Sequence, residues 1–252
     1  MEMTFYIFVF FFGAIIGSFL NVCICRLPEG KSVIWPASHC PYCQTQIKWY
    51  DNIPLLSFLL LKGHCRYCGK PISWQYPVVE LSTGIFTLLI YWKYGLSLPG
   101  LIYLLFVCAL IVVSFIDLKL QIIPDVISIP GIFCGLIASF FLPELSLKDA
   151  LYGALLGGGI LFLVAYGYYL IRKKEGMGGG DIKLLAMIGA FLGWKAIPFV
   201  ILIASLTGSF IGILWIFLQK KDKYFPIPFG PFLALGAICL LFFPQLIHIS
   251  FP

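Results

Sequence analysis

The fold is decided by a glycine-rich segment that carries an acid into an apolar run: Glu175-Gly176-Met177-Gly178-Gly179-Gly180-Asp181-Ile182-Lys183. The basic cluster Arg172-Lys173-Lys174 precedes it and ends an earlier apolar run. A carboxylate at membrane depth costs about 2.5–3.5 kcal/mol on insertion scales, so such a residue marks a functional site by default. Glycines lack a Cβ and therefore allow the backbone to approach other groups closely. The segment predicts that Asp181 begins a membrane-embedded helix and takes part in chemistry.

The composition is that of a polytopic membrane protein. Of the 252 residues, 61% are hydrophobic and only 11% are charged, and the mean hydropathy is +0.99. A soluble domain of this size cannot bury so much apolar side chain. The formal net charge of +6 is explained by the excess of basic residues in cytoplasmic loops, so no nucleic-acid partner is predicted. The first apolar run has an acidic flank and no small-residue cleavage site, and we expect it to be retained as a span.

Eight apolar runs are candidates for transmembrane helices, which need about 20 residues to cross a bilayer, although the sixth run is short. They cover residues 4–25, 78–94, 99–116, 123–141, 150–171, 182–194, 196–218 and 227–248. We therefore predict an all-α polytopic membrane protein with about eight transmembrane helices. The fifth run carries small residues that indicate close helix packing: Gly153, Gly157, Gly158 and Gly159.

The orientation follows from the distribution of basic residues. If the N-terminus is extracytoplasmic, every lysine and arginine except Lys93, Lys148 and Lys195 lies on the inner side, as the positive-inside rule requires. We predict a multi-pass protein of the bacterial inner membrane, surrounded by lipid, with both termini extracytoplasmic.

One polar insertion interrupts the apolar pattern, and it is cytoplasmic in this topology. It contains a weaker apolar stretch at 53–61, which is too short to span and is expected to lie on the bilayer or under the loop. The predicted domains are a first transmembrane helix at 1–25, a cytoplasmic loop domain at 26–77 and a transmembrane core at 78–252.

Two C-x-x-C pairs in the insertion predict a metal site, formed by Cys40, Cys43, Cys65 and Cys68. Two such pairs at this separation are typical of four-thiolate zinc sites, which are structural because no position remains for water. An insertion of this length is too short for a comfortable apolar core, so a bound zinc ion would stabilise it. A disulfide pair is the alternative, and the reducing cytoplasm argues against it. His39 and His64 each directly precede the first cysteine of a C-x-x-C pair, and they are not expected to be ligands.

Three acids fall at cytoplasmic helix ends in the predicted topology: Asp117, Asp125 and Asp181. Two carboxyls brought together can hydrolyse an amide, because one activates water while the other polarises the scissile carbonyl. Asp125 follows Pro124 at a helix start and is also explained as a helix cap. Asp117 ends a long apolar run, where a negative charge opposes the helix dipole. On that difference we favour Asp117 as the partner of Asp181 and keep Asp125 as a possible additional acid.

The motifs, taken in order, resemble those of the bacterial type IV prepilin leader peptidases, which are bifunctional GxGD aspartic proteases. Besides the cysteine pairs they are GSFLNV at 17–22, RLP at 26–28, NIPLLS at 52–57, GKPIS at 69–73, YP at 76–77 with Glu80, Asp117 through IPD at 123–125, GGGD at 178–181, KLLA at 183–186 and IPFGP at 227–231. Together they extend over nearly the whole chain.

The resemblance implies that Asp117 and Asp181 are the catalytic aspartates. It implies cleavage of the short basic leaders of prepilins and pseudopilins, the substrates of type IV pilus and type II secretion systems, at the cytoplasmic face. It further implies N-methylation of the new N-terminal residue by S-adenosylmethionine. Within the GxGD segment we expect Gly178, Gly180 and Lys183 to position the substrate or its loop. The simpler alternative is that the glycines only permit a sharp turn into the next helix.

Two other functions remain compatible with parts of the pattern. A member of the same family that carries only the peptidase would lack methyl transfer. A proton-coupled transporter would also use intramembrane acids, but it would favour acids near mid-span and paired broken helices. The acids here lie at one face and the halves show no repeat.

Overall fold

The computed structural model describes residues 2–173, 178–219 and 228–248, and this part of the chain is helical without a named strand. The α-helices there are α1 (Glu2–Arg26), α2 (Leu56–Leu60), α3 (Gln75–Tyr94), α4 (Leu98–Leu120), α5 (Asp125–Ala138), α6 (Leu147–Arg172), α7 (Gly179–Leu192), α8 (Ile197–Gln219), α9 (Gly230–Phe242) and α10 (Gln245–His248). The predicted all-α class is confirmed for the described residues.

Four helical segments in the described residues are long and apolar enough to cross a membrane, judged by length and composition. They are Met3–Glu29, Leu98–Leu120, Leu147–Arg172 and Trp194–Trp215. The other predicted runs also form helices, but α5 and α7 have only 14 residues each. At 1.5 Å per residue they are about 21 Å long, against a hydrocarbon core of about 30 Å. The prediction of eight spans is therefore not confirmed, because these two helices are too short to cross a bilayer on their own.

The chain divides into two compact units, Met1–Val112 and Val113–Pro252. In the first unit α1 packs along α3 through small residues. A Cβ added at Gly17 of α1 would lie 2.7 Å from the Cα of Glu80, so the two helix backbones are as close as glycine allows. This contact carries the polar residues of α1 and α3 that belong to the sequence motifs.

In the second unit α7 is enclosed by other helices, because it contacts α5, α6, α8 and α9 and residues 184–191 are buried. The small-residue face of α6 packs on it as the sequence indicated. A Cβ added at Gly157 would lie 2.5 Å from the Leu185 carbonyl oxygen, and one at Gly153 would collide with the backbone of Gly189. Gly159 instead faces open space. A helix too short to span is thus buried in protein, with its N-terminal end held at a fixed place.

Candidate active site and candidate metal centre

Asp181 lies in the first turn of α7, where the glycine-rich segment becomes helical. Gly178 precedes the helix, and its carbonyl accepts a hydrogen bond from the Asp181 backbone N–H at 3.2 Å. A carboxylate in the first turn of a helix faces the positive end of the helix dipole. Asp181 therefore begins a helix as predicted, and its side chain is partly buried. Residues 174–177, which include the predicted loop residue Gly176, lie outside the described part of the chain.

Asp117 lies in the last turn of α4 and is buried, with 5% of its surface exposed. Its carbonyl accepts a hydrogen bond from the Gln121 N–H at 2.9 Å, and Gln121 has a positive φ of 55°, which ends the helix. A negative charge at this end opposes the helix dipole. The Asp117 carboxyl is stabilised by a different helix end, because its Oδ2 accepts a hydrogen bond from the Gly230 N–H at 2.9 Å.

The side chain of Ile123 lies between the segments that carry or contact the two acids. A Cβ added at Gly180 would lie 2.8 Å from the Ile123 Cβ, and one at Gly230 would lie 3.3 Å from the Ile123 Cδ1. Gly180 directly precedes Asp181, and Gly230 binds Asp117, so the ends of α4, α7 and α9 meet around one apolar residue. The charge of Asp117 acts on the Asp181 carboxyl at this junction. We call this arrangement the Ile123 junction.

Asp125 does not cap a helix. Pro124 holds the cap position of α5, Asp125 is the first helical residue, and no side-chain cap hydrogen bond forms. The interpretation of Asp125 as a cap is therefore wrong. Its carboxylate instead accepts two hydrogen bonds from the Lys183 ammonium group, at 2.7 and 2.8 Å. Lys183 lies two residues after Asp181, near the start of α7, so this ion pair links the start of α5 to the start of α7.

The glycines of the GxGD segment differ in what surrounds them. A Cβ at Gly179 would meet nothing within 4 Å, and one at Gly178 would have its nearest neighbour at 4.0 Å. Of the three described glycines, only Gly180 lies against another described residue, which is Ile123. Close approach therefore explains Gly180, whereas no described residue crowds Gly178 beside the helix start.

The four predicted ligand cysteines form one cluster. The Sγ atoms of Cys40, Cys43, Cys65 and Cys68 all lie within 4.8 Å of one another, and none of the four is in a disulfide. The Sγ atoms of Cys40 and Cys68 are 3.9 Å apart. Tetrahedral coordination with Zn–S bonds of about 2.3 Å requires S–S separations of about 3.8 Å. The donor set and its spacing therefore fit a four-thiolate zinc site.

Each cysteine pair sits on the same kind of turn, closed by an isolated antiparallel bridge that begins at His39 in the first pair and at His64 in the second. Each histidine ring places its Nδ1 against the backbone carbonyl two residues earlier, at 3.1 and 2.7 Å. Among the described residues neither histidine belongs to the ligand cluster. Hydrogen bonding from Thr45 lowers the pKa of Cys43 to about 6, which favours the thiolate that a metal binds.

The sequence did not predict an ion pair that lies next to the second cysteine pair. The Arg66 guanidinium, next to Cys65, donates to both carboxylate oxygens of Asp51 at 2.6 to 3.0 Å. A bidentate pair of this kind fixes direction as well as distance. Its partners lie in separate loops, and no spacing or motif connects them in the sequence.

A buried polar cluster joins the insertion to α3 in the first unit. Asn21, Gln75 and Glu80 are at most 9% exposed. The Gln75 amide donates to the Asn21 side-chain oxygen at 3.2 Å, and the Glu80 carboxylate accepts from the Leu55 N–H at 2.8 Å. Leu55 has a positive φ of 62°, a conformation in which a non-glycine residue is strained. These residues lie in or next to the sequence motifs at 17–22, 52–57 and 76–80, so the motifs of the first unit are at least partly explained by this cluster.

The chain matches two family models. One is described as "Bacterial Peptidase A24 N-terminal domain" and matches residues 11–94, and the other is described as "Type IV leader peptidase family" and matches residues 104–213. The first match contains the four cysteines, and the second contains all three candidate acids.

Curated relatives with the name "Prepilin leader peptidase/N-methyltransferase" align over most of the chain. The protein from Stutzerimonas stutzeri is 38% identical, covering 93% of this chain and 89% of the relative. The protein from Aeromonas hydrophila is 40% identical with 92% and 89% covered, and that from Xanthomonas campestris pv. campestris is 39% identical with 91% and 88% covered. No solved structure matches the chain.

Fold and site together define a class, that of helical proteins with membrane-length apolar helices and two acids gathered at helix ends. Within that class, the chain belongs to the type IV leader peptidase family. The resemblance inferred from the motifs is confirmed.

Proposed function

We propose that the protein cleaves the short basic leaders of type IV prepilins and pseudopilins at the cytoplasmic membrane face, and then N-methylates the new N-terminal residue with S-adenosylmethionine. The observation that carries the proposal is the meeting of Asp117 and Asp181 at the Ile123 junction. Relatives named for both activities support it.

Asp117 and Asp181 supply general acid–base catalysis without a covalent intermediate. Two carboxyls at short range do not both ionise, so the pair holds one proton between them. The ionised partner takes a proton from water as the water oxygen attacks the scissile carbonyl carbon, and the protonated partner gives its proton to the carbonyl oxygen. Collapse of the tetrahedral intermediate breaks the C–N bond and passes a proton to the leaving amine. The product is a free leader carboxylate and a mature chain with a new amino terminus.

The open space beside Gly178 is where we seat the substrate. Gly178 has extended backbone, with φ −69° and ψ 140°, and a side chain here would have little protein around it. An extended leader can therefore lie along this backbone and pair with it, as peptides do at exposed edges. Lys183 is engaged by Asp125, so we assign it to holding the segment in place rather than to proton transfer. Asp125 is its partner and not a third catalytic acid.

The proposed arrangement in the membrane keeps the domains predicted from the sequence. Residues 1–25 form the first transmembrane helix, 26–77 a cytoplasmic domain, and 78–252 a membrane-embedded peptidase core, in which the short α7 is enclosed by neighbouring helices. Eight helices lie across or within the bilayer of the inner membrane, and both termini are extracytoplasmic. The excess of basic residues on one side supports this orientation.

Cys40, Cys43, Cys65 and Cys68 would hold a structural zinc ion. The fit of their Sγ spacing to tetrahedral thiolate coordination supports this assignment. With four protein ligands the ion would keep no position for water, so it would stabilise the insertion and not take part in hydrolysis. S-adenosylmethionine supplies an electrophilic methyl group to the new terminal amine.

The proposal is tested with purified protein in lipid nanodiscs and a synthetic prepilin, with products identified by mass spectrometry. We expect loss of the leader in all reactions, and one added methyl group only where S-adenosylmethionine is present. Asp117→Asn and Asp181→Asn should abolish cleavage while the amount in the membrane stays unchanged. Both variants should still methylate a substrate that has already been cut.

The outcomes separate the alternatives. Cleavage at the wild-type rate by either aspartate variant would exclude the acid pair. Cleavage without methyl transfer under every condition would leave a peptidase-only protein. If Asp125→Asn loses as much cleavage activity as Asp181→Asn, Asp125 is also a catalytic acid.

A further inference from the structure

Among the described residues, the backbone N–H of Gly230 is the one hydrogen-bond donor to the side chain of Asp117, and no sequence motif assigns it a role. The N···Oδ2 distance is 2.9 Å, both groups are buried, and they come from α9 and α4. Gly230 is the first residue of α9, and Pro231 follows it in the first turn. This N–H is therefore one of the unpaired amides at a helix start, where the helix dipole also favours negative charge.

We propose that Gly230 positions Asp117 as the ionised, water-activating member of the acid pair, which leaves Asp181 to hold the shared proton and donate it to the scissile carbonyl. The inference rests on the proposed peptidase function and assigns the two acids different roles within it. A hydrogen bond from an N–H favours the charged form of a carboxyl. No hydrogen bond from the described residues reaches the Asp181 carboxyl, which is acted on by burial and by the charge of Asp117.

Steric contact gives a second reason for glycine at this position. A Cβ at residue 230 would lie 2.7 Å from Oδ2 and 3.3 Å from Cγ of Asp117. Any other side chain would push the carboxyl away from the amide, or push the start of α9 away from α4. Glycine thus provides the donor and also leaves the room that lets the carboxyl reach it. The other charged groups on the described helices around this bond are the exposed Lys119 on α4, Asp181 on α7, and the Asp125–Lys183 ion pair between α5 and α7.

The first test compares Gly230→Ala with Gly236→Ala, because both glycines lie on α9. A Cβ at Gly236 would lie 2.9 Å from the Val200 carbonyl oxygen. This contact is with backbone, so the control is at least as demanding sterically, but only Gly230→Ala strains an acid. We expect Gly230→Ala to lower kcat by about a hundredfold with KM within about twofold, as removal of a preorganised donor does. Gly236→Ala should keep kcat within about threefold at the same amount of folded protein.

The second test removes the N–H without adding a side chain. Glycolic acid incorporated at position 230 during cell-free synthesis into nanodiscs replaces the amide by an ester. A carboxylate that loses this bond is protonated at higher pH, so the acidic limb of the kcat/KM profile should move up by about one pH unit. The same ester at position 236 should leave the limb where it is in the wild type.

The inference is overturned if the position-230 ester keeps the wild-type limb and kcat, or if Gly236→Ala loses as much kcat as Gly230→Ala. These outcomes differ from failure of the peptidase proposal itself. That proposal fails if Asp117→Asn or Asp181→Asn cleaves the same prepilin in the same assay, whatever the glycine variants do.

Discussion

Gly180 shows how one missing side chain can shape a catalytic junction. Its Cα faces Ile123 so closely that a Cβ would lie 2.8 Å away, whereas the adjacent Gly179 faces open space. We predict that Gly180→Val displaces the start of α7, and Asp181 with it, and lowers prepilin cleavage by about a hundredfold, since small misplacement of a catalytic group costs that much. Cleavage rates in nanodiscs, normalised to the amount of protein in the membrane, check this.

Gly159→Val is the matched control, because it adds the same side chain on α6, where no described residue lies within 4 Å of the added Cβ. It should keep cleavage within about threefold of wild type, the range of a surface substitution. If both variants lose cleavage equally, the Gly180–Ile123 contact is not what matters. If Gly180→Val loses cleavage only in proportion to lost protein, its role is in folding.

At the residue scale, the sequence predicts side-chain chemistry better than backbone chemistry. Asp117 and Asp181 could be picked out because acids at the ends of apolar runs are costly and therefore informative. Asp125 looked like a helix cap, since position alone does not reveal a partner such as Lys183, which is distant in the chain. Gly230 belonged to a recognised motif, but its role depends on a main-chain N–H, and every residue except proline has one.

The connection between α4 and α5 holds the helices around the two acids in place. Gln121 turns the chain, Ile123 enters the junction, and Asp125 binds Lys183 on α7. The ion pair is half exposed, so it should add less than about 1 kcal/mol to stability. We predict that Asp125→Lys or Lys183→Asp alone lowers cleavage by about tenfold through misplacement of α7, and that the double exchange restores most of it.

A surface pair provides the control for this exchange. Glu29 and Lys31 form an ion pair at 2.5 Å with both side chains more than half exposed. Exchanging these two residues, singly or together, should leave cleavage unchanged within about twofold. If the Asp125–Lys183 double exchange cleaves no better than the single variants, the pair does not act through its charge.

A bound metal would join the two turns of the insertion that carry the cysteine pairs. We predict one zinc ion per chain by elemental analysis, and its loss in Cys40→Ser because three thiolates no longer close the site. The loss should be accompanied by rapid proteolysis of the insertion. Cys134→Ser is the control, since Cys134 is exposed on α5 and outside the cluster.

The zinc assignment can also be contradicted directly. Purified protein without zinc, in which four cysteine thiols fail to react with a thiol reagent until a reductant is added, would indicate two disulfides instead. Full cleavage and methylation after complete removal of the metal would show that the cluster does not support either activity.

At the scale of the whole molecule, the predicted orientation can be checked with reporter fusions. Alkaline phosphatase is active only outside the cytoplasm, so fusions after Leu96 and after Glu144 should be active. A fusion after Lys62, within the insertion, should be inactive. The opposite pattern would place the acids at the outer face, where the cytoplasmic leader of a prepilin cannot reach them.

The overall architecture was predictable in kind but not in its dimensions. Each apolar run became a helix where the structure describes it, because hydrophobicity and the need to pair backbone groups leave few alternatives in a membrane. The count of spans was not predictable, since α5 is shorter than its apolar run, and α7 is too short to cross a bilayer alone although it covers most of its run. Whether such a helix meets lipid or protein depends on tertiary packing, and a sum of hydropathies contains no term for neighbours.

The enclosure of α7 by α5, α6, α8 and α9 has a consequence for the lipid around the protein. A solitary helix of 14 residues would suffer hydrophobic mismatch, and would force the bilayer to thin around it. Because other helices of the protein enclose it, α7 has little contact with acyl chains, so its length is decoupled from membrane thickness. The enzyme should keep its turnover nearly constant in bilayers of widely different chain length, where an exposed helix of that size would tilt or shift.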